Sequence, residues 1–211
     1  MKHRLALLVL AAITAYACSE RTLTPDRAAS LIRDLDQFTR EAHVTIQTGV
    51  PFQSLFRCLS QAEVERTPLT RFLVERGWVR LEARETTLGL GAKESCPAMA
   101  LTAAGHAASA QWTRGRSLSA EGTTWTVPVA RRELVGVTGL SARPDGSAQV
   151  EFDWKWTPNE TGAALRKSVD KANALFEQVR KSRASCRRLD DGWQCQLGMW
   201  TTPADAGELS L

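Results

Sequence analysis

The sequence predicts an α+β fold, a small helical N-terminal module followed by an antiparallel sheet covered by a helix. Three observations predict it. Two segments repeat apolar residues at three- and four-residue steps: Ala28, Leu31, Ile32, Leu35, Phe38 and Ala42 in the first, and Ala164, Leu165, Val169, Ala172, Leu175, Phe176 and Val179 in the second. The run AQVEFDWKWTP alternates strictly, which places Val150, Phe152, Trp154 and Trp156 on one face and Glu151, Asp153 and Lys155 on the other. Turn signals, Pro144-Asp145-Gly146 and Asp191-Gly192, punctuate the β-rich C-terminal half.

In chain order, Lys2 and Arg4 precede an apolar run, Leu5 to Ala15, that is too short for a spanning helix of about 20 residues. A basic start, a short apolar middle and the small-x-small triplet Ala15-Tyr16-Ala17 predict an export leader over residues 1–17, cut so that Cys18 becomes the first residue. This arrangement resembles the lipobox of bacterial lipoproteins. The resemblance implies acyl chains on Cys18 and, with Ser19 rather than Asp after it, an outer-membrane location facing the periplasm. The family prefers Leu where Ala15 stands and a small residue where Tyr16 stands, so an ordinary secreted product is the alternative.

Thr24-Pro25-Asp26 is a helix start: a hydroxyl cap, a proline that needs no N–H and an acid in the positive first turn. The apolar stripe carries that helix to Ala42, with His43 closing it. Thr67-Pro68 opens another helix, with Leu69, Phe72 and Leu73 inward and Gly77 as its left-handed stop. WVRLEARE alternates as a strand, TTLGLGAKESCP reads as a hairpin tip, and AMALTAAGHAASAQW as a return strand entering a helix. The order from Pro68 to Trp112, carried by LTRFLVERGWVRLEARE and LTAAGHAASAQW, is similar to the wing region of MarR-like winged-helix regulators. The resemblance covers about a fifth of the chain and implies shape, since its matching residues Gly77, Thr102 and Gly105 are structural.

A Gly-, Ser-, Arg- and Thr-rich stretch between Arg114 and Thr123 reads as a linker. The expected organisation is therefore a leader (1–17), a helical, winged-helix-like domain (18–113), and an α+β domain with an antiparallel sheet and a C-terminal hairpin (124–211). Of the five cysteines, Cys18 is set apart by the leader. Cys58, Cys96, Cys186 and Cys195 remain as an even set suited to an oxidising compartment. CRRLDDGWQC encloses a hairpin turn, which brings Cys186 within bridging distance of Cys195. Cys58 then pairs with Cys96, the connectivity that keeps each bridge inside one domain.

Basic residues number 27 and acidic ones 23, and two of the cations lie in the leader. The charges are interspersed, which speaks against a nucleic-acid surface. No zinc-ribbon spacing, phosphate-cradling loop or nucleophile elbow is present, so no cofactor or metal is expected and no catalytic residue is assigned. Arg131 and Arg132 in the ARRE run, with Trp154 and Trp156, form a possible ligand surface for an anionic glycan or a headgroup, against the plainer reading of cross-strand ion pairs and core. The function expected is that of a non-enzymatic, lipid-anchored envelope protein. Its expected partners are the membrane, through the N-terminal lipid, and an envelope protein or glycan. An envelope hydrolase or glycan-processing enzyme is the alternative. A winged-helix DNA-binding regulator ranks last, because export separates the protein from the chromosome.

Overall fold

A computed structural model describes residues 22–89, 91–116, 122–198 and 203–209; the expected leader and Cys18 lie outside them. More of the described residues lie in antiparallel strands than in helices. The expectation of a small winged-helix N-terminal module is thereby overturned. The local order from Pro68 onward is helix, turn, two strands and helix, but residues 42–48 before it and 113–116 and 123–142 after it are strands paired with one another.

The first departure comes early. Helix α1 (Pro25–Arg33) starts as expected, with the Thr24 hydroxyl accepting from the Arg27 N–H, but it stops at Asp34, whose own N–H closes the last turn onto Ser30 and Ile32. Leu35 is extended, α2 (Asp36–Thr39) is a single turn, and Arg40 is extended again. Strand β1 (Ala42–Thr48) follows, with His43 inside it rather than at a helix end. Val44, Thr45, Ile46 and Thr48 are β-branched and alternate between buried and exposed, a pattern that favours a strand over a continued helix.

The remaining elements are α3 (Gln61–Glu65), α4 (Pro68–Glu75), β2 (Val79–Thr87), β3 (Lys93–Leu101), α5 (Ala103–Ala108), β4 (Thr113–Arg116), β5 (Thr123–Ala142), β6 (Ala148–Pro158), α6 (Glu160–Ser168), α7 (Asp170–Glu177), β7 (Arg180–Leu189), β8 (Gly192–Leu197) and α8 (Pro203–Ala206). The helix expected from the stripe Ala164 to Val179 is broken at Val169, whose φ of −133° and ψ of 108° are extended. Asn159 caps its start by accepting from the Gly162 N–H.

The chain forms two compact units, one from residues 1–40, 133–155 and 179–199, the other from 41–132, 156–178 and 200–211. In the first unit β6 pairs with β7, and β7 with β8, all antiparallel. Val150, Phe152 and Trp154 point inward, and Phe152 meets the edge of the Phe38 ring at 6.1 Å. Within this unit the apolar face of β6 is therefore met by the N-terminal helical segment; the expected cover, residues 161–178, belongs to the other unit. Ala28 and Ile32 of α1 are fully buried, and α1 packs on β8.

In the second unit β1 and β4 both pair with the first part of β5, and β2 with β3. Val44, Ile46, Val127 and Val129 form one buried cluster from paired strands, and Phe72, Leu73, Val79 and Leu101 are buried from α4, β2 and β3. Trp78, Trp112 and Trp125 make a chain of edge-to-face contacts at 5.5 and 6.1 Å, geometry that indole rings favour over face-to-face stacking. Gly77, at φ +67°, turns the chain from α4 into β2.

Candidate functional site

The bridges Cys58–Cys96 and Cys186–Cys195 are both closed. They fit an exported protein that folds outside the reducing cytoplasm. Cys186 and Cys195 are direct partners in the β7–β8 ladder. Cys58 lies outside any ladder, at the foot of a turn that sequence reasoning passed over.

That turn is built from the end of β1 upward. Gly49, at φ +77°, redirects the chain, and its N–H donates to the Met99 carbonyl at 2.8 Å. Phe52 N–H donates to Pro97 at 2.8 Å, and Pro51 bridges Ala98, so residues 49–52 run beside β3. Gln53 then bridges Cys58, leaving Ser54, Leu55, Phe56 and Arg57 as a tight turn. Ser54 N–H donates to the Arg57 carbonyl at 2.9 Å. The Ser54 hydroxyl accepts from the Arg57 N–H at 3.2 Å and, more loosely, from the Phe56 N–H at 3.5 Å, a serine turn that fixes the backbone locally.

Three further braces hold the turn. The Leu55 carbonyl accepts from the Gly89 N–H at 3.0 Å, and a Cβ at Gly89 would sit 2.9 Å from that oxygen, so the approach requires glycine. Arg57 makes a two-pronged ion pair with Glu63, at 2.9 and 2.8 Å, and also donates to the Cys58 carbonyl. Glu63 in turn completes a capping box with Ser60 at the start of α3. The Arg57 guanidinium first, then the Ser60 N–H and hydroxyl, stabilise the ionised form and lower the Glu63 carboxyl from its ordinary 4.5 to about 2.

The product of this bracing is a pair of adjacent apolar side chains held in water. Leu55 is 73% exposed and Phe56 70%. Beside the turn is a shallow cleft of about 390 Å³, lined in part by Arg57, Leu59, Ser60, Leu81, Glu82 and Pro97. Its two carboxylates are both in ion pairs, Glu63 with Arg57 and Glu82 with Arg80 at 3.2 Å. Among the described residues no group of three or more His, Cys, Asp or Glu could hold a metal ion.

The residues expected to form a ligand surface are dispersed by burial. Trp154 and Trp156 are 0% and 1% exposed and cannot stack on a sugar. The Trp154 indole N–H donates to the Ser182 hydroxyl at 2.9 Å. Arg132 is 7% exposed, its guanidinium 4.4 Å from the Trp156 ring centroid and donating to the Asp205 carbonyl, so it ties the C-terminal segment down. Only Arg131 of the four is exposed. The alternation that made β6 legible as a strand also determined that its indoles are core.

The chain was compared with protein-family models, curated proteins and solved structures. None matches. The braced turn therefore stands on its own geometry. The only sequence signal for it was Ser54 ahead of an apolar pair in QSLFRC, where Leu55 and Phe56 look like core until the fold exposes them.

Proposed function

We propose that this exported protein is held at a bacterial envelope membrane by acyl chains on Cys18, in the outer membrane, and works there by binding rather than by catalysis. The observation that carries the binding role is the Leu55–Phe56 turn. A disulfide, a two-pronged ion pair, a capping box and a backbone bond to Gly89 hold two large apolar side chains out of the core. Exposed apolar residues are common singly, whereas a rigidly presented pair lowers the ordering cost of docking. The carboxylates beside it are both engaged in ion pairs, which suits bracing better than proton transfer.

The anchor supplies residence at the membrane. Each buried methylene contributes about 0.8 kcal/mol, and more than one chain makes attachment durable. Labelled palmitate fed to cells is expected to enter the wild-type chain and not Cys18→Ala, which should partition into the soluble envelope fraction. Equal labelling of both would remove the anchor from this reading. For the binding role, a photo-crosslinker at Gln53 is expected to capture an envelope component that a crosslinker at exposed Arg131 does not.

A further inference from the structure

We infer that the Leu55–Phe56 turn is a wedge for the interfacial layer of a phospholipid bilayer. The inference deepens the binding role proposed for this turn by naming its partner, and it does not depend on acylation of Cys18.

Immersion in a bilayer interface requires what the turn already has. Hydration falls off toward the headgroup–acyl boundary, so backbone groups already bonded within the protein cost less to immerse there. The N–H groups of Ser54, Phe56 and Arg57 and the carbonyls of Leu55 and Arg57 are bonded to neighbours in the turn or to Gly89. The nearest charge, Arg57, is neutralised by both oxygens of Glu63. A loop that docks into a protein partner typically completes polar bonds with it; this apex leaves few to complete.

The surroundings agree in composition and charge. Residues 49–59 at the apex contain no acid and one cation, the paired Arg57, and residues 86–93 add Lys93, with the exposed Glu85 and Glu94 further down the β2–β3 strands. Lys93 is exposed at the base of the β2–β3 tip, whose Gly89 touches Leu55 and whose Gly91 and Ala92 are small and exposed. An apolar apex without free charge suits the interfacial layer, with Leu55 and Phe56 about 5–10 Å deep and the charged residues of the β2–β3 strands at headgroup level.

The test uses the leaderless chain carrying Cys18→Ser, so that no acyl chain contributes, with vesicles of phosphatidylethanolamine and phosphatidylglycerol. The protein is expected to float with the vesicles, and Leu55→Ser with Phe56→Ser to weaken partitioning by about tenfold or more. Both side chains face solvent, so the near-ultraviolet spectrum and melting temperature should be unchanged. Phe56→Trp should gain fluorescence that is quenched by lipids brominated near the headgroup, and about 0.5 M salt should leave most of the binding in place. Three outcomes overturn the wedge: a parent that stays unbound, a double variant that floats as well as the parent, or loss in the double variant of a crosslink to a single envelope protein while vesicles bind neither form. Failure of palmitate labelling alone would remove the anchor and leave the wedge standing.

Discussion

The two disulfides close loops of different kinds. Cys186 and Cys195 are 9 residues apart and directly opposite in a ladder whose turn and hydrogen bonds already fix them. Cys58 and Cys96 are 38 apart, and the loop they close encloses α3, α4 and β2. Cys96 sits opposite Arg84 within the β2–β3 ladder, whereas Cys58 comes from a segment that no ladder contains. The first bridge repeats information that the hairpin already carries. The second holds in place a turn that strand pairing alone would leave weakly specified.

Loop-closure entropy turns this contrast into numbers. Replacing Cys58 and Cys96 together by Ala should cost about 4 kcal/mol in urea unfolding, and hydrogen exchange at the Phe56 and Arg57 amides should become fast before the β1–β5 amides respond. Replacing Cys186 and Cys195 should cost less, about 2.5 kcal/mol, with the β7–β8 amides still protected. Equal costs would show that the two bridges do the same job.

A smaller change sharpens the same point from the bracing side. Ser60→Ala removes the capping hydroxyl and should cost about 1 kcal/mol by thermal melting, with exchange at the Arg57 amide accelerated more than at Cys186. The mildest test is acid. Because folding lowers the Glu63 carboxyl to about 2, its contribution is fully present above the ordinary value of 4.5 and is lost as pH falls toward 2. Phe56 ring signals in an NMR titration should broaden across that window, while those of buried Phe152 stay sharp. Simultaneous broadening of both would mean global unfolding and would separate Glu63 from the turn.

What local pattern encodes was legible. Thr24-Pro25 starts a helix, the alternation around Trp154 makes a strand, and Asp191-Gly192 closes a hairpin with Cys186 facing Cys195. What depends on distant pairing was not. Ala42 and His43 were read as the end of a helix because Ala42 completes an apolar stripe, yet they open a strand, residues 42–48, whose partner is residues 123–130, far along the chain. That pairing also undoes the winged-helix expectation, which rested on local order from Pro68 to Trp112. Leu55 and Phe56 were invisible for a related reason. Apolarity predicts burial, and only the bonds from Gly89 to Leu55 and from Arg57 to Glu63 show them held outward.

Strands β5 and β6 each run from one compact unit into the other, and neither unit is a continuous stretch of chain. The consequence concerns synthesis. As the polypeptide emerges from its N-terminus, α1 has no β8 to rest on, and His43 has to wait for Gly207 and Leu209, to which its backbone is bonded. Both units therefore take closing contacts from residues far along the chain from their first elements. A chain lacking Gly207 to Leu209 would lose the backbone bonds that hold His43, and one lacking β8 would leave α1 without the strand it packs on.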